Sequence, residues 1–309
     1  MDKNTKIYVA GHKGMVGSAL MRQLIANGYN NIVVRSRSEL DLNRQANVEA
    51  FFKDEKPEYV FLLAARTGGI VDNGNHPADA LITNSLIELN VIKTAFEAGA
   101  KKLIFSASST VYPETATQPL RENSLLTGPL EPRGEGYALS KILGIKLCEK
   151  LGKQYGAMFS AVVLPNLYGQ NCRGHTVVPM LFAKFYNAVK EEADSVGVWG
   201  SGNVRREFMH ADDVADAMLF LMDKHKTSEH INVGFGSDVK ISELAELIGS
   251  ISGFKGKIMY DKSMPDGTPR KLLDSSKLFD MGWKPKISLQ DGLRQTYADY
   301  LINRDAYRS

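Results

Sequence analysis

Seven residues constrain this chain more than any others: Gly11-His-Lys-Gly14-Met-Val-Gly17. They directly follow a short apolar run at residues 6–10 (KIYVA). They open an amphipathic stretch at 14–27, where Met15, Leu20 and Leu24 fall near helical spacing. Glycines at this spacing between strand and helix serve as a dinucleotide fingerprint. One permits a tight turn, one lets backbone approach a pyrophosphate, and one lets helix pack on strand. The phosphates then face the positive N-terminus of the helix.

The same alternation continues beyond the turn. Residues 31–35, 59–64, 102–106 and 160–165 read as buried strands, and 43–54, 78–98 and 137–155 as helices. Apolar strands alternating with helices predict parallel βαβ units with right-handed crossovers and helices on both faces. The expected fold class is therefore α/β, a doubly wound, Rossmann-like parallel sheet. After Asn166 the rhythm breaks into loops rich in Gly, Asn and Pro, at 166–175, 200–203 and 265–269. Residues 1–165 read as a dinucleotide-binding domain, with a segment near 205–235 returning to the sheet. Residues 166–204 and 236–309 read as a smaller C-terminal substrate-binding lobe.

Composition narrows the function classes. A chain of 309 residues can bury a sizeable core, and 43% hydrophobic with 24% charged residues argues against disorder. A net charge of +3 with no Lys/Arg-rich run argues against a nucleic-acid role. No apolar run reaches the ~18 residues of a membrane span, and the chain enters a strand pattern by residue 6, with no leader. Cys148 and Cys172 stand in no CxxC pattern and read as free thiols in a reducing compartment. A cytoplasmic protein is expected.

The end of the second strand selects the cofactor. An NAD site places an Asp or Glu there for the ribose 2′-hydroxyl. This chain has Arg35-Ser36-Arg37, with Lys13 in the glycine turn. Guanidinium groups clasp a 2′-phosphate that a carboxylate would repel, which predicts NADPH; the alternative is a solvated basic loop. Gly11, Gly14, Met15, Val16 and Gly17 would line the pyrophosphate. Asp41 and Leu42 would lie near the adenine, and Ala64 and Ala65 would pass beneath the ribose and nicotinamide.

Tyr137 and Lys141 are four residues apart and share a helix face, and Ser108 follows the strand at 102–106. Ketone reduction needs these groups. Negative charge grows on the carbonyl oxygen as hydride arrives, and Tyr137 would donate the proton. A free Tyr has a pKa of about 10, better matched to neutral pH when an ammonium stands beside it. Lys141 would supply that charge and hold the cofactor ribose, and the Ser108 hydroxyl would fix the carbonyl oxygen. An ordinary amphipathic helix face is the bland alternative. His210, Asp212 and Asp213 suggest a metal site less well than an Asp-capped helix start, so no metal is expected.

At this point the residues resemble the extended short-chain dehydrogenase/reductase family over essentially the whole chain, and within it the GDP-L-fucose synthase branch. The segments that carry the resemblance are AGHKGMVGSAL, AARTGGIVDN, SSTVYP, EPRGEGYALSKILGIKLCE, NLYG, VWGSGNVRREFMHADD, HINVGFG and PDGTPRKLLD. The resemblance implies NADPH and a GDP-linked 4-keto sugar. It also implies homodimers that pair the helices at 78–98 and 137–155. It gives Ser108, Tyr137 and Lys141 the reduction. Arg206 matches the arginine on the GDP phosphates, where a fork suits a pyrophosphate. Arg205 either assists or faces solvent. Trp199 either contacts the base or ribose or packs in the core. Asn166, Val178, Asp266, Arg270 and Lys271 fall in segments implied to meet the substrate.

The branch epimerises C3 and C5 of the sugar before reducing C4, using a Cys two residues after the catalytic Ser and a His near an HVxP segment. This chain has Thr110 in place of the Cys, and its His175 stands one position out of register. A neutral Thr hydroxyl is a far weaker base than a thiol, whose pKa lies near ~8.5. Only Cys172 could substitute, by moving in. The expected activity is therefore C4 reduction of a GDP-4-keto-6-deoxy sugar, a hexose or a heptose, acting after a separate epimerase. The complete epimerase-reductase is the alternative. A nucleotide-sugar 4-epimerase is disfavoured by Arg35 and Arg37. A dehydratase is disfavoured by the absence of carboxylates after Ser108. A non-catalytic NADPH-binding protein is disfavoured by the presence of both Tyr137 and Lys141.

Overall fold

The computed structural model describes residues 1–172, 176–264 and 266–307. Its first part runs β1 (Ile7–Ala10), α1 (Met15–Ala26), β2 (Ile32–Val33), α2 (Gln45–Glu55), β3 (Tyr59–Leu62), α3 (Gly69–Asn75), α4 (Pro77–Glu97), β4 (Lys102–Ser108), α5 (Glu135–Tyr155) and β5 (Met158–Leu164). Then come β6 (Asn166–Tyr168), α6 (Val177–Lys190), β7 (Ser195–Trp199), β8 (Arg205–Arg206), β9 (Phe208–His210), α7 (Ala211–Lys224) and β10 (Ile231–Asn232). The chain ends with β11 (Val239–Lys240), α8 (Ile241–Ser252), β12 (Lys257–Asp261), β13 (Arg270–Lys271), α9 (Ser276–Asp280) and α10 (Leu289–Ile302).

Six strands form one parallel sheet in the order β2-β1-β3-β4-β5-β10. Side chains alternate between its faces, as strand geometry requires. Tyr8, Val60, Leu62, Leu103, Phe105 and Val163 pack with α2, α4 and α5 on one face. Ile7, Val9, Phe61, Ile104 and Val162 pack with α1 and α7 on the other. Both faces are covered, so the strands are apolar throughout and the class is doubly wound α/β. Each such buried side chain contributes about 1.5–3 kcal/mol of transfer free energy. β10 therefore brings a late part of the chain back to the sheet edge beside β5.

A third core holds the C-terminal lobe, with Phe182, Phe185, Leu244, Ile248 and Leu293 from α6, α8 and α10. Its strands are short: β11-β8-β13, β12-β7 and β6-β9. The cap of α7 corrects the reading of an Asp-capped start. His210 is the capping residue and accepts from the Asp212 amide at 3.2 Å. Asp213 instead accepts from the amides of Lys286 and Ile287, at 3.1 and 2.9 Å, and ties the C-terminal segment to the sheet half. Among the described residues, no His/Cys/Asp/Glu group could hold a metal ion, and no helix is long and apolar enough to cross a membrane.

Candidate active site

The strand order reverses between β1 and β3, so a crevice opens at their carboxyl ends, where doubly wound sheets take ligands. The glycine turn fills one side of it. Gly11 has φ +90°, and a Cβ there would lie 2.8 Å from the Ala64 nitrogen, so only glycine fits against the end of β3. A Cβ on Gly17 would lie 2.1 Å from the Gly11 oxygen, which fixes how closely α1 approaches β1. Gly14 caps α1 without a side-chain hydrogen bond, and its first turn, from Met15 and Val16 onward, holds no acid. That bare, positive helix end suits a pyrophosphate. The Ala64 backbone lies against Gly11. Buried Asn84 of α4 pins Arg66 from both sides, accepting from its amide at 2.7 Å and donating to its carbonyl at 3.1 Å.

The basic patch is partly self-occupied. Arg35 donates to Glu55 at 2.5 Å and to the Val34 carbonyl at 2.9 Å, with its guanidinium 5.6 Å from the centre of the Phe51 ring. Arg37 and Lys13 are exposed. Glu39, between them in charge terms, accepts from the Ser36 amide and hydroxyl. Those hydrogen bonds, with Arg35 and Lys13 nearby, hold it below the usual carboxylate range. Asp41 accepts from the amide and side chain of Asn43, and Asn90 donates to the Leu42 carbonyl at 2.9 Å. The loop 41–43 is thereby fixed beside α4.

The catalytic candidates converge at the end of β4. Ser108 is its last residue, and the turn after it packs on α5, which carries Tyr137 and Lys141. The Ser108 oxygen accepts from the Thr110 amide at 3.4 Å, which leaves its own proton free to donate. Lys141 Nζ lies 5.6 Å from the centre of the Tyr137 ring and 4.6 Å from that of Phe105. Burial leaves the Tyr137 phenol raised; Lys141 opposes this only in part, and Glu88 adds to the rise. Lys141 is itself 1% exposed; burial pulls its ammonium down, but the carboxylate of Glu88, 3.1 Å away, leaves it raised. The Thr110 hydroxyl is buried with no partner among the described residues. His175 lies outside the described residues, as does Pro265.

Cys172 does not reach this point. It is buried in the lobe core, with its thiol 3.5 Å from the Thr176 hydroxyl, and burial pushes it up to about 11. A buried, protonated thiol is a poor base.

In the lobe, Asn166 begins β6 and donates to the Glu207 carbonyl at 3.1 Å, while Val178 is buried in α6. Arg206 donates to the carbonyls of Arg205 and Thr268, at 2.8 and 2.6 Å, and burial pulls it down to about 10. Asp266 accepts from the Ser201 amide at 2.9 Å and shapes the loop over Arg206. Lys271 follows Arg270 on β13; burial, then Arg206, lowers its pKa. Trp199 is 53% exposed, with Lys184 Nζ 5.4 Å from its ring centre, so the core-packing alternative for it is corrected. Arg205 is partly exposed but does not stand free: it donates to Asp238 Oδ1 at 2.7 Å and to the Asp238 carbonyl at 2.8 Å. Arg270 donates to the other Asp238 oxygen. Both arginines thus clamp a carboxylate of the chain itself.

A glycine turn at a sheet switch point, a Ser ending the fourth strand, and a Tyr and a Lys on the following long helix stand together in this chain. The model of the NAD dependent epimerase/dehydratase family matches residues 7–234. The chain belongs to that family. Among members, a GDP-L-fucose synthase of Arabidopsis thaliana is 51% identical over 306 residues, covering 98% of this chain and 95% of its own. The GDP-L-fucose synthase of Escherichia coli is 45% identical over 316 residues, covering 98% of each. A solved GDP-mannoheptose C4 reductase from Campylobacter jejuni, with NADP bound, superposes with a TM-score of 0.92 at 41% identity, over 97% of this chain and 99% of that one.

Within this family chain, sequence reasoning missed three buried polar residues on α4. Asn84, Glu88 and Asn90 are buried and hold the Ala64–Arg66 loop, Lys141 and Leu42 respectively. They lie in the run ITNSLIELNVI, where five polar residues interrupt the apolar pattern and none is marked out as buried. It was possible to suspect Asp238, a lone acid between glycines and β-branched residues, but nothing local pairs it with two arginines.

Proposed function

We propose that this chain is an NADPH-dependent reductase of the C4 keto group of a GDP-linked 4-keto-6-deoxy sugar, hexose or heptose. The observation that carries the reading is the convergence of Ser108, Tyr137 and Lys141 at the end of β4, beside the crevice that the glycine turn frames. The 45–51% identity to GDP-L-fucose synthases and the 41% identity to a GDP-heptose C4 reductase support the same substrate class. The cofactor fits the residues present. Gly11, Gly14 and Gly17 leave bare backbone at an uncapped helix end for the pyrophosphate, and Met15 and Val16 lie in its first turn. Arg37 and Lys13 would meet the 2′-phosphate, with Arg35 held behind them by Glu55. Asp41 and Leu42 border the adenine side, and Ala64 and Ala65 leave room under the ribose and nicotinamide.

Bound NADPH supplies the hydride that reaches C4. The Ser108 hydroxyl donates to the C4 oxygen and orients it. Tyr137 gives that oxygen its proton as the carbonyl becomes an alcohol, and the Lys141 ammonium stabilises the phenolate left behind. In the lobe, Arg206 and Lys271 carry the charge that a GDP diphosphate needs, and Trp199, exposed at the end of β7, offers a ring face to a base or ribose. Asn166, Val178, Asp266 and Arg270 shape that side. Residues 1–165 with 205–235 form the cofactor half, and 166–204 with 236–309 the substrate lobe. The exposed apolar stripes of α4 (Ile82, Leu86, Leu89) and α5 (Leu139, Leu143) would meet in a homodimer bundle. Two free, buried cysteines suit a cytoplasmic protein.

Thr110, buried where the family branch uses a cysteine, favours reduction without C3/C5 epimerisation, downstream of a separate epimerase. The complete epimerase-reductase is the second reading, favoured by the full-length identity to GDP-L-fucose synthases. The test is incubation with GDP-4-keto-6-deoxymannose and NADPH in deuterated water, read by NMR. NADPH consumption without deuterium at C3 or C5 is expected. Deuterium at both with a fucose product would establish the second reading, and the absence of any NADPH consumption with hexose, dideoxy and heptose substrates alike would overturn the first.

A further inference from the structure

A carboxylate is buried directly behind the lysine that this chemistry uses. Glu88 lies on α4 and Lys141 on α5, two helices packed side by side on one face of the sheet. Their side chains are 0% and 1% exposed, and Lys141 Nζ lies 3.1 Å from Glu88 Oε1. The contact is an ion pair that falls short of hydrogen-bond alignment, so donors of the ammonium stay available. Gly144, one turn along α5, makes the room: a Cβ there would lie 2.8 Å from Glu88 Oε2 and 2.6 Å from the Phe105 ring. The Phe105 ring comes from β4, and Tyr137 and Cys148 of α5 are the other titratable groups on which the Glu88 charge acts. Burial pushes the Glu88 carboxyl up to about 7, and Lys141 pulls against it.

Burying an ion pair is rarely worthwhile for stability alone, since desolvation consumes most of the attraction. A glycine that opens space for a carboxylate beside a reactive lysine therefore points to a role for that carboxylate. We propose that Glu88 is a positioning residue for Lys141, holding its ammonium charged and aimed at Tyr137 through the buried ion pair. The proposal rests on the reductase reading above. Without Glu88, the apolar surroundings strip the proton from Lys141, and its flexible stem loses its anchor. The phenolate of Tyr137 then forms without the charge that stabilises it.

The alkaline limb reports the loss of the Lys141 ammonium. Removing the buried anion beside it lowers the Lys141 pKa. In Glu88→Gln, the alkaline limb of the kcat/KM–pH profile for NADPH-dependent reduction therefore moves to lower pH by about one unit or more. At neutral pH kcat falls while KM for the GDP sugar is unchanged. Glu88→Asp keeps the charge, returns the limb to its wild-type position and lowers kcat by misplacing Lys141. A limb unmoved in Glu88→Gln, or activity lost equally at every pH, overturns the proposal. Should Glu88→Gln not fold, Glu88→Asp decides alone, and an unchanged kcat in it overturns the proposal. A second readout needs no substrate: the ultraviolet difference titration of each protein against its Tyr137→Phe counterpart. Tyr137 ionises at higher pH in Glu88→Gln than in the wild type, because the Lys141 ammonium no longer stabilises its phenolate, and identical titrations overturn the role of Glu88. If the wild type reduces no GDP-keto sugar, the functional reading fails, and this titration still decides the ion pair.

Discussion

The residues that the proposed function assigns to cofactor and catalysis sit on contiguous elements: the glycine turn between β1 and α1, Ser108 ending β4, and Tyr137 and Lys141 one turn apart on α5. In the C-terminal lobe, Arg205, Arg206, Arg270 and Lys271 sit on two-residue strands brought together from distant parts of the chain. The first set is held by a two-faced apolar core, the second by side-chain clamps. Asp238 ties Arg205 and Arg270, while Glu207 accepts from the amides of Gly236 and Leu273 at 2.8 and 2.9 Å. Under the proposed function, the difference separates chemistry from recognition. A parallel sheet gives rigid positions for a reaction common to the family, and a lobe of clamped short strands can change its substrate contacts without disturbing that sheet.

The largest effect should come from the sheet half. Tyr137→Phe removes the proton donor, and kcat is expected to fall by about 10²–10⁴-fold with an unchanged melting temperature and unchanged NADPH affinity. A smaller loss would mean that another group delivers the proton. Gly17→Ala comes next. Its new Cβ meets the backbone of Gly11, which cannot swing aside, so α1 must shift at a cost of about 1–3 kcal/mol. NADPH affinity measured by fluorescence and the melting temperature should both fall.

The lobe should respond differently. Asp238→Asn is expected to raise KM for the GDP sugar about tenfold while NADPH affinity stays put, because two guanidinium groups lose one anchor. Equal losses for both ligands would erase the proposed division between halves. Acid should mimic this change. Burial raises the Asp238 carboxyl, but hydrogen bonds from Arg270 and Arg205 outweigh it and leave the pKa lowered. A lowered carboxyl contributes stability that is present above its unfolded value of about 3.9 and lost as pH falls further through the folded value. Loss of GDP-sugar binding below about pH 4, with Asp238→Asn insensitive in that window, is the expected result. The smallest effect belongs to exposed Arg37. Arg37→Ala should weaken NADPH several-fold and leave NADH unchanged, as suits a partly solvated charge on a 2′-phosphate.

Much of the sheet half was legible. Apolar runs such as YVFLLA and KLIFS became β3 and β4 because strands covered on both faces need apolar residues at every position. Tyr137 and Lys141 were legible because helical spacing alone puts them on one face. Glu88 was not, because its partner lies on another helix and a single Glu in an apolar stretch reads as a solvated position. Arg35 read as a free phosphate ligand, whereas α2 supplies Glu55 to hold it. The cap of α7 was assigned to Asp when His210 takes it, since capping depends on side-chain direction rather than on residue preference.

What the amino-acid sequence determined by itself is whatever depends on neighbours within a turn or two: the βα glycine turn, the strand and helix alternation, and the Tyr–Lys spacing. Only the tertiary structure decided which charges are spent inside the molecule and which remain for ligands. Charge pairing acts through space, at distances of about 3 Å between groups that the chain separates by tens of residues, as with Glu88 and Lys141 or Asp238 and Arg205. No local pattern encodes such pairs, because it is the packing of helices and sheet that brings them within reach.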